Sequence, residues 1–215
     1  MRKIIAVLLA LCLASGALPV LSEGAGGSIL TMLENKIKTD LNAQRAQEAE
    51  EAPAETDDSL EEDQALVAVN LQAIKVMLDK YDLKFTYQED QDTFLLFYTL
   101  DSDMESAAVW LTAYDDGVWV RIDYDEDIPD DKLEQILILC SLFNEEMRLG
   151  CFYVDRENKS LGYRFFLYTD VLPPTQVSLA LALVLGISMM ENRGEAVAAV
   201  LYEDMSAWDA FKLLD

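Results

Sequence analysis

Residues 107–124 read AAVWLTAYDDGVWVRIDY, two strand-like runs, 107–114 and 118–124, on either side of Asp115-Asp116-Gly117. Successive side chains of an extended strand point to opposite faces. Val109, Leu111 and Ala113 therefore share one face, as do Val118, Val120 and Ile122, and both faces are core-like. The alternate positions carry Trp110, Thr112 and Tyr114 in the first run and Trp119, Arg121 and Asp123 in the second. Asp-Gly between two alternating runs predicts a β-hairpin. The stretch thus fixes an antiparallel sheet with one apolar face and one face that mixes aromatic rings with charge. A face of the second kind suits a surface that water or a partner reaches. It supplies the partner-binding candidates Trp110, Tyr114, Trp119 and Arg121, which Tyr153 extends from a later strand. The competing reading is that a helix or a symmetry mate covers the rings.

Outward from this hairpin the pattern continues in both directions. Before it, Lys84–Glu89 and Thr93–Leu100 read as strands, separated by Asp90-Gln91-Asp92 and followed by Asp101-Ser102-Asp103. Before those, Ala65–Tyr81 places Leu66, Val69, Leu71, Ile74, Met77 and Leu78 at helical spacing. After the hairpin, Pro129 and an acidic first turn start a helix over Asp130–Arg148, and Gly150 stands just past its end. Gly150–Asp155 and Leu161–Thr169 form a further hairpin across Glu157-Asn158-Lys159-Ser160. Pro173-Pro174-Thr175 introduces a third helix, Gln176–Glu191, which a last helical stretch, Glu195–Asp204, continues or follows after Asn192-Arg193-Gly194. The order α-ββββ-α-ββ-α predicts one α+β domain over residues 64–215, an antiparallel sheet with its helices on one face.

Leu179–Met190 is apolar except for Gly186 and Ser188. Its 12 residues are too few to span a bilayer, yet a helix apolar on all sides must be covered on all sides. The covering elements are either the chain's own sheet and helices or a second copy, and the expectation is a homodimer.

The N-terminus carries an address. Met1-Arg2-Lys3 is basic, Ile4–Leu13 is uncharged, and Ser15, Gly16, Ala17, Pro19 and Ser22 are small or helix-breaking residues. These are the three parts of a secretory signal peptide. Val20-Leu21-Ser22 fits the cleavage rule, so residues 1–22 are expected to be removed and the product exported, to the cell envelope or beyond. An uncleaved anchor is the alternative. Residues 23–63 then hold a short amphipathic helix with Ile29, Leu33, Ile37 and Leu41 on one stripe, and an acidic stretch around Pro53 that lacks the apolar surface to order itself.

Charge and composition exclude several classes. The chain has 40 acidic and 16 basic residues, a net charge of −24. Loss of Arg2 and Lys3 leaves 14 basic residues against the same 40 acids, a mature charge of −26. Nucleic-acid binding needs a basic footprint, so no nucleic-acid partner is expected, and no membrane span remains after cleavage. Histidine is absent, which removes the commonest general base and metal ligand and every His-containing triad. Cys140 falls mid-helix and Cys151 at the next strand. That separation favours two buried thiols over a disulfide, with the bridge as the alternative.

The order of elements resembles the YbjN family, whose domain has a type III secretion chaperone-like fold. The residues that carry the likeness are Leu142-Phe143-Asn144, Gly150-Cys151-Phe152-Tyr153-Val154-Asp155 and Leu161-Gly162-Tyr163-Arg164-Phe165-Phe166-Leu167, closed by a helix from Thr175 to Met190. The likeness spans residues 64–204. It implies a small non-enzymatic domain, often dimeric, that binds polypeptides or acts in regulation, and it brings no catalytic residues. A signal peptide departs from the secretion chaperones, which act before export.

One acidic run remains. Asp123, Asp125 and Asp127, with Glu134 beyond, match calcium-loop positions 1, 3, 5 and 12. Ile128 stands where that loop needs glycine, so the same acids fit the start of a helix, where negative charge suits the dipole. No phosphate-binding glycine loop is present, and acid pairs arise by chance among 40 carboxylates. The sequence therefore predicts an exported, cofactor-free interaction domain with an unidentified polypeptide partner. A calcium- or ligand-responsive envelope protein built on residues 123–134 is the first alternative, and a carboxylate-based hydrolase the second.

Overall fold

The computed structural model describes Lys36, residues 59–169 and residues 174–214. The expected signal peptide, the stripe of residues 29–41 apart from Lys36, and the acidic stretch up to 58 lie outside the described residues. Helix α1 spans Ser59–Lys80, so it begins within the segment assigned by composition to the linker. Strands β1 (Thr86–Gln88), β2 (Thr93–Thr99), β3 (Ser106–Ala113) and β4 (Gly117–Tyr124) follow. Helix α2 (Leu133–Glu146), strands β5 (Cys151–Asp155) and β6 (Ser160–Tyr168), helix α3 (Gln176–Tyr202) and the short helix α4 (Ala207–Phe211) complete the chain. All strands pair antiparallel in one open sheet, in the order β1-β2-β3-β4-β6-β5. The fold is α+β, as the alternation requires.

The 107–124 hairpin forms as read. Tyr114 N–H donates to Gly117 C=O at 2.8 Å around Asp115-Asp116. Gly117 serves it by absence of bulk, since a Cβ there would stand 2.5 Å from the Phe166 ring of neighbouring β6.

The apolar face of the sheet presents Phe94, Leu96, Val109, Leu111, Val118, Val120, Ile122 and Phe165, all buried. Helices α1, α2 and α3 cover this face and leave the other bare among the described residues. From α1, Ile74, Met77 and Leu78 are fully buried, and Asn70 donates to Tyr114 C=O at 2.7 Å, tying the helix to the β3–β4 turn. From α2, Phe143 lies 4.9 Å from the Phe152 ring of β5; truncating so buried a ring costs about 3–5 kcal/mol.

Helix α3 decides between two readings of its C-terminal half and takes its cover from the chain itself. It is continuous over 27 residues, with no break at Asn192-Arg193-Gly194, and a capping box starts it: Thr175 Oγ1 accepts from Ser178 N–H (3.0 Å) while Ser178 Oγ accepts from Thr175 N–H (2.9 Å). Seventeen of its residues are buried, against β4, β6, α1, α2 and α4. The chain encloses this helix by itself, so its apolarity gives no support to a homodimer. Its length and composition would allow it to cross a membrane, but 61% of its most apolar window is buried within the domain.

Smaller differences have local causes. Helix α2 begins at Leu133 because Pro129–Lys132 forms a turn, Lys132 N–H donating to Pro129 C=O at 2.9 Å. It ends at Glu146, and Gly150, at φ +70°, turns the chain into β5. Strand β1 covers only 86–88 because Glu89–Gln91 tightens into a 3₁₀ turn. Helix α4, which the sequence reading did not anticipate, is capped by Ser206 Oγ accepting from Asp209 N–H at 3.2 Å. Cys140 and Cys151 are both free thiols.

Candidate functional site

The bare face is built from alternate residues of five strands, and the register sets them in rows. Leu95, Trp110, Arg121, Arg164 and Cys151 form one row, each opposite the next. Thr112, Trp119 and Phe166 form the row on one side of it. Ala108, Asp123, Gly162 and Tyr153 form the row on the other, with Phe97 of β2 at its end.

Four of the five partner-binding candidates, Trp110, Trp119, Arg121 and Tyr153, meet on this face. Arg121 stacks over Trp110 with its guanidinium carbon 4.3 Å from the ring centre and lies 6.0 Å from that of Tyr153. Arg164 lies 4.7 Å from the Tyr153 ring and 5.7 Å from Trp119. Arginine and aromatic rings therefore alternate across four strands, an arrangement that gains cation–π attraction at each step. Tyr114 stands just past the end of β3, half-exposed, with its ring 6.2 Å from Phe166.

Beneath this layer sits a buried carboxylate. Asp123 is 2% exposed, and Arg121 donates to its Oδ2 from Nε at 3.0 Å and from a terminal nitrogen at 2.5 Å. Tyr153 O–H donates to Oδ1 and Ser160 O–H to Oδ2 at 3.3 Å. Gly162 makes the room: a Cβ there would overlap the Asp123 carboxylate. Burial alone lowers the Arg121 pKa, but the hydrogen bonds and charge of Asp123, with Tyr153 beside it, raise it on balance. Burial, then the Asp123 charge and hydrogen bond, push the Tyr153 phenol well above its ordinary range. Both oxygens of Asp123 are committed to donors. The cluster is a locked support for the rings above it.

Of the four acids of the calcium-loop spacing, Asp123, Asp125 and Asp127 line one concavity and Glu134 stands apart. Asp123 points inward under Arg121, Asp125 and Asp127 line its mouth on the open face, and Glu134 lies on the outer side of α2 beside Leu133, Leu137 and Ile138. Among the described residues no group of three or more acids or cysteines is arranged to hold a metal ion. Ile128, which stands where a calcium loop needs glycine, is buried, and its N–H donates to Lys159 C=O at 2.6 Å.

The sequence reading missed several members of the face. Phe97 is 71% exposed, Tyr168 is 68% exposed, and Arg164 and Phe166 complete the rows. In Thr93–Thr99 both faces are apolar, so alternation gives no hint which way Phe97 points. Arg164 and Phe166 join Trp119 only because β6 crosses to lie beside β4, a pairing between segments more than forty residues apart.

A family model described as "YbjN: Putative bacterial sensory transduction regulator" matches residues 70–190. No curated protein matches the chain. Among solved structures, the chain is similar to that described as "Crystal structure of YbjN, a putative transcription regulator from E. coli", with a TM-score of 0.46 and 11% identity over 62% of this chain and 89% of that one.

Proposed function

The chain belongs to the YbjN family, and from that membership we propose that it is an exported, non-enzymatic regulatory domain that binds a polypeptide through the open face of its sheet. The observation that carries the reading is the face itself. Phe97, Trp110, Trp119, Phe166 and Tyr168 lie on it with two arginines, and no described element covers them. Aromatic residues and arginine are the types enriched where proteins bind one another. A locked carboxylate cluster that fixes Arg121 and Tyr153 in place also limits the side-chain entropy lost on binding. The family's description as a sensory transduction regulator supports a regulatory use of that contact. Export rests on the basic, apolar and small-residue parts of residues 1–22. The acidic stretch from residue 42 up to the start of α1 at Ser59 would then tether the domain to its site of export.

The test is photocrosslinking in the cell of origin with a benzoylphenylalanine placed at Phe97 or at Tyr168, and at exposed Lys75 of α1 as the control position. Discrete polypeptide adducts from the two open-face positions, absent from Lys75, support the reading. Adducts from Lys75 alone, or from no position, overturn it.

A further inference from the structure

We propose that the open face receives a basic, amphiphilic stretch of its polypeptide partner, whose lysine or arginine heads are held by a fixed acidic rim at one end of the face. This deepens the reading of that face as a polypeptide-binding surface and rests on it. Where β2, β3 and β4 meet the loop after β4, the face sinks into a concavity of about 730 Å³ lined by Phe97, Trp110, Arg121, Asp125, Glu126 and Asp127. Its floor is aromatic, with Phe97 largely exposed and Trp110 half-buried. Its rim is anionic: Asp125, Glu126 and Asp127 are all exposed, and none forms an ion pair among the described residues. Arg121 in the wall pairs with Asp123 and stacks on Trp110; Lys159, which pairs with Asp130, acts on Asp127, and Glu126 bonds Tyr202, so the three carboxylates keep an excess of negative charge.

The rim is held rigidly. Asp125 N–H donates to Ser106 C=O at 3.1 Å, and Ile128 N–H donates to Lys159 C=O at 2.6 Å, so one end of the loop is tied to β3 and the other to the turn between β5 and β6. Lysine and arginine are the side chains that match such a surface, because their apolar stems lie along rings while their heads reach charge. The overall charge of −24 draws cations toward the domain from a distance and repels acidic segments.

The experiment measures fluorescence anisotropy of the full chain with three labelled peptides of equal length, in which leucine and phenylalanine alternate with lysine, with glutamine or with glutamate. The lysine peptide is expected to bind tightest and to weaken with added salt. The double substitution Asp125→Asn, Asp127→Asn is expected to lower its affinity about tenfold, whereas Asp90→Asn, Asp103→Asn removes the same charge elsewhere and changes it about twofold or less. Equal affinity for the three peptides, no binding of the lysine peptide, or equal losses in the two double variants overturns the inference. Phe97→Ser reads the surface separately. If the glutamine peptide binds as well as the lysine peptide and Phe97→Ser abolishes both, the acidic-rim inference falls and the open-face reading stands. If Phe97→Ser changes no peptide's affinity, the open-face reading falls too.

Discussion

The Asn144 carboxamide pairs with the backbone of Phe152 on both sides, accepting from its N–H at 2.7 Å and donating to its C=O at 2.9 Å. Strand β5 is an edge of the sheet, and these two groups are where a further strand would bond. A side chain of α2 thus occupies part of the edge and blunts it, one of the ways proteins prevent edge-to-edge association. Asn144→Ala should cost about 1–3 kcal/mol, because it strands two backbone groups at once, and should promote association of the edge. Urea unfolding and light scattering measure the two effects. A variant that unfolds at the same urea concentration and stays monodisperse would show that the contact is incidental.

Arg121 and Arg164 stand opposite each other in the register of β4 and β6, yet they should differ in what they contribute to stability. Arg121 answers a carboxylate that is 2% exposed, while Arg164 is exposed and, among the described residues, its guanidinium lies over the rings of Trp119 and Tyr153. Removing one member of a buried pair costs about 3–5 kcal/mol. Because the Arg121 side chain is 35% exposed, water offsets part of that, and Arg121→Met should cost roughly 2–3 kcal/mol. Arg164→Met should cost about 0.5 kcal/mol or less and act on binding instead. Equal losses for the two would show that Asp123 is not held as its geometry implies.

Gly194 lies inside α3, where replacement by alanine ordinarily stabilises a helix by about 1 kcal/mol. Here the sign should reverse. A Cβ would stand 2.5 Å from Ser102 Oγ and 2.7 Å from Ser102 Cβ, in the loop between β2 and β3. Overpacking of this kind costs about 1–3 kcal/mol, so Gly194→Ala should lower the melting temperature. Adding Ser102→Gly should restore it, and the loss of a hydroxyl that is buried without a partner adds little cost. A melting temperature that rises with Gly194→Ala alone would show that the loop gives way freely.

These residues also mark how far the sequence could be read. The 107–124 hairpin and the side assigned to each of its residues were legible, because strand alternation is local and one face is plainly apolar. The partner-binding candidates on that hairpin followed from it. Gly194 was read as a possible break in a helix, since its reason, the approach of Ser102, comes from a loop some ninety residues earlier. Arg164 and Phe166 were invisible as members of the face for the same reason: β6 lies beside β4 only after the chain has crossed past α2 and β5. The packing argument for a dimer lost its basis. A helix apolar all round demands cover, but the pattern does not say whose, and here α1, α2, α4 and the sheet supply it.

Cys140 gives the chain an alkaline limit. Burial first, and then the neighbouring Cys151, push its thiol up to about 12. An unfolded cysteine titrates near about 8.5, so the folded state keeps a proton that the unfolded state gives up. The associated stability is complete below about pH 8.5 and is lost as pH rises toward the folded value, at most about 1.4 kcal/mol per pH unit. Burial also raises the phenols of Tyr124 and Tyr163, but unfolded tyrosine titrates near about 10, so their share begins higher. Urea midpoints between about pH 8.5 and 10 should therefore fall in the native protein and fall less steeply in Cys140→Ala, despite that variant's lower stability at neutral pH. In the same window a thiol reagent should label half-buried Cys151 in the native state and reach Cys140 only after unfolding. Equal labelling of the two thiols without denaturant, or parallel declines for native and variant chains, would contradict the assignment.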